Sequence, residues 1–181
     1  MSPRRRRERR RARQRGAAVP AAPTRYRMRE KLLAIGDDFV IETAGGQPAF
    51  KVDGKALRVR NTIQIRDRQG GLRYRVQERV LRLKETMVIQ GADGKTAATI
   101  KKALVTPLRD RFDVKVAGGP PLHVQGNILD HEYTITRNGK PVASVSKRWF
   151  RVRDTYGVEV MAGEDDALVL AIAAAIDTIR Q

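Results

Sequence analysis

The side chains with the most chemical potential are the two histidines, His123 and His131, and the second is flanked by acids as Asp130-His131-Glu132. A histidine beside carboxylates could hold a metal ion or move a proton. Strand alternation, however, puts Asp130 and Glu132 on the face opposite His131, so the three cannot converge on one ion. His123 lies eight residues earlier, on what reads as the neighbouring strand. Asp53-Gly54 and Asp93-Gly94 read as turns rather than calcium loops, because no series of further oxygen ligands follows. Ser144 and Ser146 lack the glycine elbow of an activated nucleophile. There is no GxxxxGK[ST] phosphate cradle and no cysteine. No catalytic residue, metal site or cofactor is therefore expected, and the chain is read as a binding protein rather than an enzyme.

The remaining chemistry is charge. The 181 residues carry a formal net charge of +17. Residues 1–27 hold eleven arginines against Glu8, a local net of +10, and the rest of the chain carries +7. Such a block of like charge cannot bury enough apolar surface to offset chain entropy, so residues 1–25 are expected to be a disordered arginine-rich tail with a semi-stiff Ala17–Pro23 linker. Arg4, Arg5, Arg6, Arg7, Arg9, Arg10 and Arg11 are its candidate nucleic-acid or anion-binding residues. Met28 is an alternative start that would remove the tail. The short apolar stretch after the arginines, broken by Pro20 and Pro23, does not make a signal peptide.

The elements that would position these groups follow from an internal repeat of about 24 residues. Lys31–Ile41, Lys55–Ile65, Arg79–Ile89 and Arg148–Val158 align without gaps, Lys102–Val114 aligns with two extra residues, and Asn127–Ile135 aligns in shortened form. Each unit closes in period-two alternation, the signature of a half-buried strand, at Ile41, Ile65, Ile89, Val114, Ile135 and Val158. Glycine turns separate the units at Gly45-Gly46, Gly70-Gly71, Asp93-Gly94, Gly118-Gly119 and Asn138-Gly139. Six units with two strands each predict about twelve strands.

After Gly163 the pattern changes. Glu164, Asp165 and Asp166 suit a helix N-terminus, and Ala167–Ile176 is apolar at every position. A helix over about 165–180 has no solvent face and belongs inside protein or membrane. Its length of about 22 Å falls short of the roughly 20 apolar residues a bilayer requires, and Asp177 interrupts it, so no transmembrane span is expected. A twelve-stranded barrel is too wide for side chains alone to fill. The expected fold is therefore mainly β: a closed antiparallel barrel around a buried C-terminal helix.

Met28–Phe39, Gly126–Tyr133, Ser146–Phe150, Asp154–Tyr156 and Gly163–Ile172 occur in an order that resembles the LURP-one-related branch of the tubby-like superfamily. The resemblance covers residues 26–181, taken as the barrel domain. It implies a twelve-stranded barrel around a central helix, shared with tubby and the phospholipid scramblases. It also implies an association with lipids, since tubby domains bind phosphoinositide head groups and scramblase relatives are tied to membranes. A scramblase-like lipid activity is the single enzymatic exception it brings.

With strands running up and down, the bends inside each unit gather at one barrel end. Lys31, Lys55, Arg58, Arg60, Arg79, Arg82, Lys84, Lys102, Arg109, Arg111, Lys147, Arg148, Arg151 and Arg153 collect there, and Trp149 is the membrane-interface candidate. The expected partners are an anionic phospholipid surface or a protein. The alternative is nonspecific nucleic-acid binding through the tail. The chain is expected to be a cytoplasmic monomer, peripheral to the inner membrane face.

Overall fold

A computed structural model describes residues 21–30, 38–53, 62–79, 86–103 and 110–179, apart from the side chains of Arg79 and Asp110. Twelve strands follow one another: β1 Thr24–Arg29, β2 Phe39–Thr43, β3 Pro48–Asp53, β4 Thr62–Arg66, β5 Leu72–Arg79, β6 Thr86–Gly91, β7 Thr96–Lys102, β8 Asp110–Val116, β9 Leu122–Asn127, β10 Glu132–Arg137, β11 Lys140–Ser146 and β12 Thr155–Val160. The helix α1, Asp166–Ile179, ends the described chain. Each strand pairs antiparallel with its neighbour in sequence. β1 closes the ring on β12 from Thr24↔Val160 to Arg29↔Thr155. A closed ring removes the exposed edges that would otherwise recruit other chains.

The repeat maps onto this ring. The six closing residues fall on the even-numbered strands, and Ile41, Ile65, Ile89, Val114, Ile135 and Val158 are all fully buried. They form a belt of branched side chains facing α1, and residues 167 and 169–177 of the helix are buried within it. The five glycine turns join β2–β3, β4–β5, β6–β7, β8–β9 and β10–β11, each with one glycine at a φ of 70° to 85°. They share one barrel end, called here the turn end, with the residues that lead into α1. The other end carries the remaining connections and is called the connection end.

The helix is tied down at both ends. At the turn end Asp165 caps it, its Oδ1 accepting the Leu168 N–H at 3.0 Å. The acids expected to answer the helix dipole also bond to the barrel rim. The Tyr74 hydroxyl donates to Asp165 at 2.7 Å, the Tyr26 hydroxyl donates to Asp166 at 2.6 Å, and Arg137 meets Glu164 at 2.7 Å. Burial, reinforced by the Asp165 carboxylate, pushes the Tyr74 hydroxyl up to about 12, and burial with Asp166 pushes Tyr26 up as well. Both phenols therefore stay protonated donors at neutral pH.

At the connection end the tie is His131, whose Nε2 lies 2.9 Å from Asp177 Oδ1 on the last turn of α1. The two side chains are 2% and 1% exposed. The alternation reading of this histidine as a strand residue is corrected: it ends the β9–β10 turn, with a left-handed φ of 51°. Asn127 organises that turn by bonding the Asp130 side chain at 2.7 Å and backbone N–H at 3.1 Å. Ile128 and His131 consequently point inward while Leu129 points out. The imidazole also stacks on Tyr156, ring centroids 4.2 Å apart.

Removing one partner of a buried hydrogen-bonded pair is costly. His131→Ala takes from the buried Asp177 carboxylate its bond to the imidazole and is expected to remove about 1–3 kcal/mol of stability. The double variant His131→Phe, Asp177→Leu removes both polar partners and is expected to be distinctly more stable than His131→Ala. Urea unfolding of the three proteins checks this ordering.

Candidate functional site

The candidate site is the connection end. Of the expected crown, Lys31, Lys55, Arg58, Arg60, Arg82, Lys84 and Arg109 lie outside the described residues, as do the tail arginines Arg4 to Arg11 and the side chain of Arg79. The β11–β12 connection and the end of β7 supply the rest, with Lys102, Arg148, Arg151 and Arg153 exposed. Lys147 is tied to Glu30 at 2.7 Å, across to the end of β1. Arg148 stands 3.6 Å from Glu132 and is 85% exposed, and Arg153 is 3.8 Å from Asp154 and 96% exposed. Pairs this exposed contribute little and leave the cations open to other partners. Arg111 is placed on the outer wall instead, 3.7 Å from Asp113, which also meets His123 Nδ1 at 2.8 Å.

The connection is positioned by one carboxylate. Glu132 Oε1 accepts the Ser146 hydroxyl at 2.8 Å and the Lys147 N–H at 3.2 Å. Ser146 Oγ in turn accepts the Arg148 N–H at 3.1 Å, capping a single 3-10 turn over Lys147–Trp149. Asp130, His131 and Glu132 therefore diverge: the first orders a turn, the second holds the helix, the third holds the connection. Among the described residues, no group of three or more histidine and acidic side chains converges as a metal site.

Charge reasoning alone does not mark the apolar part of this end. Among the described residues the exposed large hydrophobic side chains are Val40, Leu129 and Val152. Leu129 is in the β9–β10 turn, Val152 in the β11–β12 connection and Val40 near the start of β2, so all three belong to the connection end. Val40 and Val152 line a cleft of about 380 Å³ with Met28, Arg29 and Phe39. The cleft opens because β1 and β2 pair only at Tyr26↔Thr43 and Arg27↔Glu42 and then part. A sequence signal for Leu129 did exist, since Asn127-Ile128-Leu129-Asp130 sets two apolar residues inside a polar turn.

Trp149 folds back onto the outer barrel wall rather than projecting from the end. Arg25 lies over its ring, 4.4 Å from the centroid, and is itself held by Glu159 at 2.7 Å. Below the indole is Gly157, where a Cβ would come within 2.6 Å of Trp149 Cε3 and 3.0 Å of Phe150 Cε2. The glycine is required by this close approach. Gly157→Ala is expected to lift the indole, and because Trp149 is the single tryptophan of the chain, a red-shifted emission spectrum reports it directly. An unchanged spectrum would show that the ring does not rest on Gly157.

No described helix is long and apolar enough to cross a membrane. Comparison with known proteins agrees with the architecture above. The Bacillus subtilis (strain 168) protein YxjI, itself uncharacterised, is 26% identical over 152 residues, covering 84% of this chain and 91% of its own length. The crystal structure of an Arabidopsis thaliana protein superposes with a TM-score of 0.64 at 17% identity, over 88% of this chain and 94% of that one, and shows the same fold. The LURP-one-related family model matches residues 24–177, from the first residue of β1 to the aspartate that anchors the helix. The chain belongs to the LURP-one-related family.

Proposed function

We propose that this protein works by binding rather than by catalysis, docking its connection end on an anionic membrane surface from the cytoplasmic side. The observation that carries the reading is the coincidence of two kinds of exposed side chain. Val40, Leu129 and Val152, the exposed large hydrophobics among the described residues, share one barrel end with the open cations Lys102, Arg148, Arg151 and Arg153. Apolar side chains entering the interface and cations on anionic head groups are the two contributions that peripheral attachment combines. The opposite end offers glycine turns and acids already bonded to Tyr26, Tyr74 and Arg137. Lipid association in tubby-like relatives supports the same direction.

Co-sedimentation of the full chain with phosphatidylcholine vesicles, with and without phosphatidylserine, tests the proposal across a salt series. Binding is expected only with the anionic lipid and should weaken as salt rises. Each cation near the leaflet contributes about 1 kcal/mol, so Arg148→Glu, Arg151→Glu and Arg153→Glu together should lower binding by at least about tenfold. Leu129→Glu with Val152→Glu should lower it further, while Arg4–Arg11 changed to serine isolates any contribution of the tail. A barrel that ignores anionic vesicles at low salt contradicts the proposal and turns the same surface toward a protein partner.

A further inference from the structure

The hairpin of β4 and β5, Ile63-Gln-Ile-Arg-Asp-Arg-Gln-Gly-Gly-Leu-Arg-Tyr-Arg75, carries four arginines and one acid. Ile63, Ile65 and Val76 are fully buried and Tyr74 reaches the helix cap, so by alternation Gln64, Arg66, Arg73 and Arg75 face outward. Arg68 is exposed in the turn. The register adds a fifth cation, for exposed Lys51 on β3 stands directly opposite Arg66. Like charges directly opposite on one sheet face are destabilising, yet none of these five makes an ion pair among the described residues. The one acid, Asp67, spends its Oδ1 on the N–H groups of Gln69 at 3.0 Å and Gly71 at 2.7 Å. Arg66 bonds only neutral oxygens, Gln64 Oε1 at 2.5 Å and the Gly70 carbonyl at 3.0 Å.

Elsewhere on the barrel outward arginines are neutralised: Arg25 by Glu159, Arg27 by Glu42 and Arg137 by Glu164. The hairpin is thus a local field of uncompensated guanidinium groups. Its turn lies at the turn end. So does Thr24, where the arginine-rich N-terminal segment joins the barrel. The exposed hydrophobics that suit a bilayer are at the opposite end.

We propose that the β4–β5 hairpin, with Lys51, binds the phosphodiester backbone of a nucleic acid. Arginine matches phosphate with paired N–H donors, and a charged wall without apolar wedges suits a polyanion in water rather than an acyl layer. Four to five phosphate contacts give sequence-independent, strongly salt-dependent binding. This surface is separate from the membrane-docking end and stands or falls without it.

The test uses the full-length chain with the nine arginines of residues 1–20 changed to serine, so that the tail does not mask the barrel. Fluorescence anisotropy with a short labelled single-stranded oligonucleotide is followed across a salt series. Arg66→Gln, Arg68→Gln, Arg73→Gln and Arg75→Gln together are expected to weaken binding roughly tenfold or more and to flatten the log–log salt slope by about 2–3. The matching four arginine-to-lysine changes are expected to keep the slope, because they keep the charge. Should the fourfold glutamine variant not fold, Arg68→Gln with Arg73→Gln alters only exposed positions and is expected to move affinity the same way. Unchanged affinity overturns the proposal, and so does a lysine variant that loses the slope. A glutamine variant that loses phosphatidylserine vesicles and not the oligonucleotide also overturns it, assigning the patch to lipid.

Discussion

The whole molecule depends on the burial of a helix that has no polar face. Ala167–Ile176 offers water nothing to bond, and the consecutive positions of α1 from Val169 through Asp177, together with Ala167, are removed from solvent. Only an enclosure can satisfy such a helix, and twelve strands make one wide enough. The converse holds equally, since a ring of that width with an empty lumen would leave its inward side chains without contacts. The belt from Ile41 to Val158 is where the two requirements meet. The ties at the ends, Asp165 and Asp166 to the tyrosines and Asp177 to His131, then set the depth and orientation of the helix.

Much of this architecture is legible in the sequence because it rests on local periodicity. The repeat places six inward residues on six even strands, and the glycine turns mark where the chain reverses. The apolar run announces a buried helix, and Ala167–Ile176 falls wholly within α1. What local pattern does not reveal is pairing over distance. His131 and Asp177 are 46 residues apart, and nothing near either one names the other. Alternation misplaces His131 because the β9–β10 connection is a tight turn that spends a left-handed residue on reversing the chain. Trp149 is similar: an aromatic beside arginines suits a membrane interface in sequence, but its ring is engaged by Gly157 and Arg25, which come from other strands.

The two barrel ends differ in chemistry for topological reasons. Odd-to-even connections fall at one end and even-to-odd turns at the other. Among the described residues the former carries the exposed cations Lys102, Arg148, Arg151 and Arg153, and the latter carries the glycine turns. The apolar additions at the connection end have separate origins: Leu129 is turned outward between inward Ile128 and His131 in a tight turn, Val152 lies in the β11–β12 connection, and Val40 is an outward-facing strand residue of β2. The arginine hairpin on the wall has a different origin, arising from register across β3, β4 and β5. No reading of one strand at a time exposes it.

The central claim is that helix and barrel are one cooperative unit, each the core of the other. Native-state hydrogen exchange across α1 tests it most directly. The amides of Leu170–Ile176 are expected to exchange only through global unfolding, with the same free energy as the central amides of β6 and β10. Helix amides that exchange faster than the strands, through a sub-global opening in which α1 leaves an intact barrel, would contradict the account.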